Sequence, residues 1–306
     1  MAKVSVVIPA GDEPFLAQTV ADVFAKAAGE IEVLVVLDGA WPRSLPEDHA
    51  GLKIIHFSEH KGMRACINAG AAVATGEWLM KTDAHCMFAE GYDEVLKRDC
   101  APNWLMVPRR WSLDPENWCI EENRKGPRDY HYLSCPIWSI RERDDYSMHG
   151  MEWRERTKER YDKPEFEVDE TMSWQGSCWF MAREHWERLG GLSEEGYGTF
   201  AQEPQELGNK TWLGPWDGRL MVNKRTWYAH LHKGKRYAHL WRQYPVTRAE
   251  IAAGHEWSAR FWMENHWSKR SHDLEWLIER FAPVPTWPAD WKEINEQGLY
   301  SNPVAG

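Results

Sequence analysis

The chain has 306 residues, 43% hydrophobic and 27% charged, with no low-complexity tract, which excludes disordered and fibrous classes and leaves room for one large core with an appended lobe. A formal net charge of −10 rules out a global field drawing the protein onto nucleic acid or anionic lipid, although a local basic patch is compatible with it. The longest apolar runs, residues 4–10 and 31–37, fall far short of the roughly 20 residues that a membrane helix needs, so no membrane span is expected.

Residues 3–9 form a valine-rich run that reads as a buried strand. After Pro14, Leu16, Val20, Val23, Phe24 and Ala27 recur at helical spacing. Residues 32–38 and 53–57 read as two further strands, and Met63, Ile67, Ala71 and Ala74 line one face of a second helix. Residues 77–83 complete a fourth strand. Apolar strands separated by helices predict an α/β fold with a mostly parallel sheet covered on both faces. In such sheets ligands bind beyond the carboxyl ends of the strands, so Asp12, Glu13, Asp38, Asp83 and His85 should converge on one crevice.

Residues 111–171 show no sustained period and read as long loops over the active face. Regularity returns with a strand over 177–181, a helix from Arg183 that stops at Gly190-Gly191, a helix from Glu203, and an edge strand over 220–223. Thr247 and Glu250 form a capping box, and Leu274, Leu277, Ile278 and Phe281 make an apolar stripe that ends before Pro283. The expected division is a catalytic domain over 1–240 and a Trp-rich helical extension over 241–306. Most of the 20 tryptophans are expected in the core. The six cysteines show no close pair, so reduced thiols in a cytoplasm are the default, and Met1-Ala2-Lys3 leads straight into a strand without an export signal.

Asp83-Ala84-His85 leaves the fourth strand with a carboxylate and an imidazole two residues apart, which is half a metal site. That pair suits Mn²⁺ or Mg²⁺, with a third ligand from elsewhere. His230 is the first candidate and His232 the second.

Val6-Val7-Ile8-Pro9-Ala10-Gly11-Asp12-Glu13, Val35-Val36-Leu37-Asp38-Gly39, Gly62-Met63-Arg64-Ala65, Ala74-Thr75-Gly76-Glu77 and Asp83-Ala84-His85 follow one another in the order seen in family 2-like glycosyltransferases of the GT-A fold. The Asp-x-His followed by Cys86 most resembles the polypeptide N-acetylgalactosaminyltransferases. Trp174-Gln175-Gly176-Ser177 and Gln202-Glu203-Pro204-Gln205-Glu206-Leu207 resemble the acceptor-side half of the same domain, and the likeness covers residues 3–235. The resemblance implies a UDP-sugar donor bound with Mn²⁺ and a sugar passed to an acceptor hydroxyl. It would put Pro9, Ala10 and Glu13 around the uridine, Asp38 on the uracil or ribose, Arg64 near the base or phosphates, and Asp83 and Gly176 on the donor. Glu203 would face the sugar or acceptor. Inverting members commonly carry an Asp base after this Glu; Pro204 accepts no proton, which favours retention unless Glu206 takes the role.

Residues 232–242 are basic and aromatic in an acidic protein, and read as a lid hinged at Gly234. Lys233 and Arg236 would neutralise the diphosphate while Tyr237 or Trp241 closes over the donor. The same segment also suits a nucleic-acid backbone. The acceptor is therefore expected to be a protein Ser or Thr, or a hydroxymethylated pyrimidine in phage DNA, within a bacterial or phage-infected cytoplasm. Two other readings stand beside this one. A nucleotidyltransferase that makes nucleotide-sugars would open with a Gly- and Arg-rich loop where Ala10-Gly11-Asp12-Glu13 is acidic, and a non-catalytic nucleotide- or glycan-binding module would have no need of the metal ligands.

Overall fold

The structure, a computed structural model, describes residues 2–121, 126–143, 145–233 and 245–296. Its first part alternates β1 (Val4–Ala10), α1 (Leu16–Lys26), β2 (Ile31–Asp38), β3 (Leu52–Phe57), α2 (Met63–Val73) and β4 (Trp78–Thr82). β1 is buried along its whole length, and in α1 the buried residues Leu16, Thr19, Val20 and Val23 share one face, which is why the periodicity is readable. β1 pairs in parallel with β2 and with β4, as mostly apolar strands covered by helices require, and β2 pairs in parallel with β3 at the sheet's end. At Gly70 a Cβ would lie 2.5 Å from Val7 Cγ1, so glycine lets α2 sit close against the sheet.

The chain continues through β5 (Cys86–Phe88), α3 (Tyr92–Asp99), β6 (Trp104–Asp114), β7 (Cys119–Ile120), β8 (His131–Leu133), α4 (Pro136–Arg143), β9 (Gly150–Glu152), α5 (Arg154–Arg160) and β10 (Val168–Glu170). Residues 111–171 are therefore not all loop. β6 runs into the segment and carries Arg109 and Arg110 within the sheet, Arg109 held by Asp129 at 2.8 Å. A strand with two arginines and a proline shows no apolar period. Its neighbours, not its own composition, hold it in place.

β11 (Cys178–Ala182), α6 (Arg183–Leu189), α7 (Glu203–Leu213) and β12 (Arg219–His230) follow, with Gly190 closing α6 in the left-handed region at φ 78°. The sheet order is β10-β12-β6-β11-β4-β1-β2-β3. β11 lies antiparallel between β4 and β6, and β12 runs parallel to β6. The expected edge strand at 220–223 is instead the start of the twelve-residue β12, covered by the short β10. The polar 223–226 stretch coincides with a register shift against β6, and it hid the strand's second half. α8 (Arg248–Met263) starts with the expected capping box, and α9 (Leu274–Phe281) buries all four residues of its stripe; α10 (Trp291–Glu296) ends the described chain. Leu274, Leu277, Ile278 and Phe281 join the main core cluster, where Trp212 meets Phe281 edge to face at 5.4 Å.

Candidate metal and donor site

β4 ends at Thr82, and the Asp83 amide donates to the Ser177 carbonyl at 2.9 Å, which turns the Asp83 side chain outward from the strand end. β5 then pairs antiparallel with the end of β12, setting Cys86 opposite His230, while the Leu231 amide donates to the His85 carbonyl. This pairing brings residues separated by 145 positions into one cluster. His230 Nε2 lies 3.2 Å from Asp83 Oδ2 and 3.1 Å from His85 Nε2, and His85 Nε2 lies 3.9 Å from Asp83 Oδ2. Octahedral bonds of about 2.1 Å put neighbouring ligands about 3 Å apart, so one carboxylate and two imidazoles fit a divalent cation. Of the two candidate histidines, the cluster contains His230 and not His232.

The groups around these three are as specific as the ligands. Glu13 Oε2 accepts from His85 Nδ1 at 3.1 Å and from Lys233 Nζ at 2.6 Å. Burial pushes the Glu13 carboxyl up, but His85 and Lys233 outweigh it and hold the group below its ordinary range. Lys81, fully buried, donates to Asp83 Oδ1 at 2.7 Å, to the Gly176 carbonyl at 2.7 Å and to Glu203 Oε2 at 3.1 Å. Burial pushes the Lys81 ammonium down, and the two carboxylates more than reverse it. Asp83 shows the mirror image: burial raises it, while Lys81 and His230 hold it well below the usual carboxylate range. Arg110 Nη2 donates to His230 Nδ1 at 3.1 Å, and its Nε and Nη1 are buried without a partner among the described residues. With Nδ1 accepting, the neutral His230 ring carries its proton on Nε2, facing Asp83, so Nε2 can ligate a cation only once that proton moves to Nδ1 and the Arg110 bond is given up.

Several of the expected donor-side residues are paired with other protein groups. The Glu13 carboxylate meets His85 and Lys233. The Asp38 carboxylate accepts from the Lys61 and Gly62 amides and sits 2.6 Å from His60 Nδ1, so it anchors the turn into α2. Arg64 is buried and gives all three nitrogens to protein acceptors, the Ser193 and Ala201 carbonyls and Glu206. Glu206 in turn accepts from Arg64, the Ser193 amide and Lys210, which makes it a buried ion-pair member. Glu203 is also buried, its Oε1 accepting from Trp179 Nε1 at 2.6 Å; burial first of all raises its pKa. Pro9 and Ala10 end β1 inside the core. Gly176 lies beside Asp83, Lys81 and Glu203 in a cleft of about 330 Å³. Arg236, with Gly234, Tyr237 and Trp241, lies outside the described residues. The groups that the motif reading missed are Lys81 and Arg110, and a charged residue inside a strand was the signal for each.

Residues 5–100, about a third of the chain, match the family described as Glycosyl transferase family 2, and the curled mixed sheet has the GT-A fold. It is 27% identical over 198 residues to polypeptide N-acetylgalactosaminyltransferase 5 of Caenorhabditis elegans, which covers 62% of this chain but only 29% of that protein. The crystal structure of GalNAc-T7 with UDP, GalNAc and Mn²⁺ superposes with a TM-score of 0.64 at 18% identity, over 92% of this chain and 57% of the other. This chain thus spans well under a third of the curated relative and little more than half of the solved one. Among the described residues no helix is long and apolar enough to cross a membrane.

Proposed function

We propose that this chain is a divalent-cation-dependent glycosyltransferase that takes a sugar from a UDP-sugar and passes it to an acceptor hydroxyl. The observation that carries the reading is the convergence of Asp83, His85 and His230 at strand ends of a glycosyltransferase family 2 domain. The solved relative, which holds UDP, GalNAc and Mn²⁺, favours UDP as the nucleotide and Mn²⁺ over Mg²⁺. When bound, the ion would neutralise the charge that develops on the departing diphosphate. The chain's own residues prepare for this. Lys81 keeps Asp83 ionised and aligned, Glu13 orients His85, and the Lys233 ammonium stands beside Glu13 at the mouth of the same cluster.

Retention is supported by the start of α7. Pro204 follows Glu203 where a base would be wanted, Glu203 is held by Lys81 and Trp179, and Glu206 is locked in its ion pairs. In a same-face transfer the acceptor oxygen bonds to the anomeric carbon, the bond to the diphosphate oxygen breaks, and that oxygen takes the acceptor's proton. The polypeptide relative favours a polypeptide acceptor. The test is UDP release from UDP-sugars with Mn²⁺, with a peptide mixture in one arm and hydroxymethyl-pyrimidine DNA in another, followed by NMR of the product anomer. Asp83→Ala and His230→Ala should each lower the metal-dependent rate by about 100-fold or more; an undiminished rate in either variant overturns the proposal.

A further inference from the structure

We propose that Asp145, His149 and His255 form a second divalent-metal site, of the kind Zn²⁺ fills, separate from the Asp83 cluster. One ligand atom from each residue lies within 4.8 Å of the others. His149 Nε2 is 3.3 Å and His255 Nδ1 3.7 Å from the same oxygen, Asp145 Oδ2. The edge of a tetrahedron with bonds of about 2.0–2.1 Å measures about 3.4 Å, so these separations suit a four-coordinate ion. A single His–Asp hydrogen bond would account for one imidazole at that carboxylate. Two imidazole nitrogens turned to one oxygen, with the rings edge to face at 4.9 Å, donate N–H to it in the metal-free protein and would present lone pairs to a cation once those protons move to the other ring nitrogens.

The ligands come from distant parts of the chain and each is held in place. Asp145 and His149 lie between α4 and β9, where the His149 amide donates to Ser134 Oγ at 2.9 Å and its carbonyl accepts the Ser134 amide at 2.9 Å. His255 comes from α8, which is fastened by Trp262 Nε1 donating to the Tyr197 hydroxyl at 3.0 Å and by Ser258 Oγ donating to Gln202 at 3.3 Å. Ser147 Oγ donates to Asp145 Oδ1 at 2.8 Å and lies 2.6 Å from His149 Nε2, linking the two side chains. His149 and His255 also line the cleft that holds Asp83, Lys81 and Glu203. With three protein ligands, the fourth position is left for water or an acceptor oxygen from that cleft. The ion would clasp the C-terminal helices to the segment between α4 and β9.

The proposal does not depend on the transferase reading, and its test reads metal alone. The full chain, stripped with chelator, is titrated with Zn²⁺ by calorimetry, and Co²⁺ spectra are recorded in parallel because four-coordinate Co²⁺ absorbs far more strongly in the visible than the six-coordinate ion. The His85→Ala/His230→Ala double variant should still bind Zn²⁺, show the strong Co²⁺ band and gain thermal stability from Zn²⁺. Adding Asp145→Asn, which keeps the side chain's shape, or His255→Ala should abolish all three, with circular dichroism confirming the fold. Absence of Zn²⁺ binding in the double variant, or full retention of binding and the Co²⁺ band after Asp145→Asn, overturns the proposal.

Discussion

Glu13→Ala isolates what a buried carboxylate contributes to a metal centre that it does not itself ligate. Its Oε2 accepts from His85 Nδ1 at 3.1 Å and from Lys233 at 2.6 Å, and only 4% of the side chain is exposed. That bond keeps the His85 proton on Nδ1 and leaves the Nε2 lone pair facing His230 and Asp83. Losing a partner of this kind costs about 10–100-fold in metal affinity, or about 1.4–2.7 kcal/mol. Glu13→Ala should reach the upper end, since it also leaves Lys233 without its carboxylate. Glu13→Gln should stay near the lower end, because the amide oxygen still accepts from His85. The assay is Mn²⁺ titration at neutral pH, followed by the paramagnetic resonance of free Mn²⁺. An affinity for Glu13→Ala equal to wild type would refute the argument. The pH dependence has a definite sign. Burial raises the Glu13 carboxyl, while His85 and Lys233 bring it below its ordinary value, so its stabilisation is present above that value and is lost only as pH falls through the lowered folded one.

Lys81→Met should cost about 3–5 kcal/mol in urea unfolding, because it leaves Asp83 and the buried Glu203 facing each other without their cation; a loss below about 1 kcal/mol would show that the pair is not held as described. Glu206→Ala should destabilise by a similar about 3–5 kcal/mol through Arg64 and Lys210 while leaving the folded fraction active, and a stable but inactive variant would restore Glu206 as a base. His185 is buried with both ring nitrogens unpartnered among the described residues, and burial, then Arg188, pushes its pKa down to about 4. An unfolded imidazole titrates near about 6.5, so between there and about pH 4 the native state loses stability, by about 3 kcal/mol in total. His185→Leu should flatten that part of the melting-temperature profile; an unchanged slope would place the acid sensitivity elsewhere.

The parts of this protein that could be read along the chain are those whose cause is local. β1, β2 and β4 are mostly apolar because both faces are covered, α1 and α9 repeat at helical spacing, Gly190 ends α6, and Thr247 with Glu250 opens α8. Strand ends bearing Glu13, Asp83 and His85 followed from that alternation, and His230 was a candidate by residue type. β6 was hidden because Pro108, Arg109 and Arg110 interrupt its apolar run, and β12 because its middle is polar; both are specified by their neighbours in the sheet. The roles of individual charges were equally hidden. Arg64 and Glu206 are 142 residues apart, as Lys81 and Glu203 are 122 apart, and a charge in a sequence does not say whether a buried opposite charge will meet it. Local pattern determined the sheet and the end of it at which the chemistry lies. Only the packing of distant segments decided that His230 joins the cluster, that Glu13 meets His85, and that Asp38, Arg64 and Glu206 are paired with other protein groups, because burial and pairing are properties of the folded surroundings.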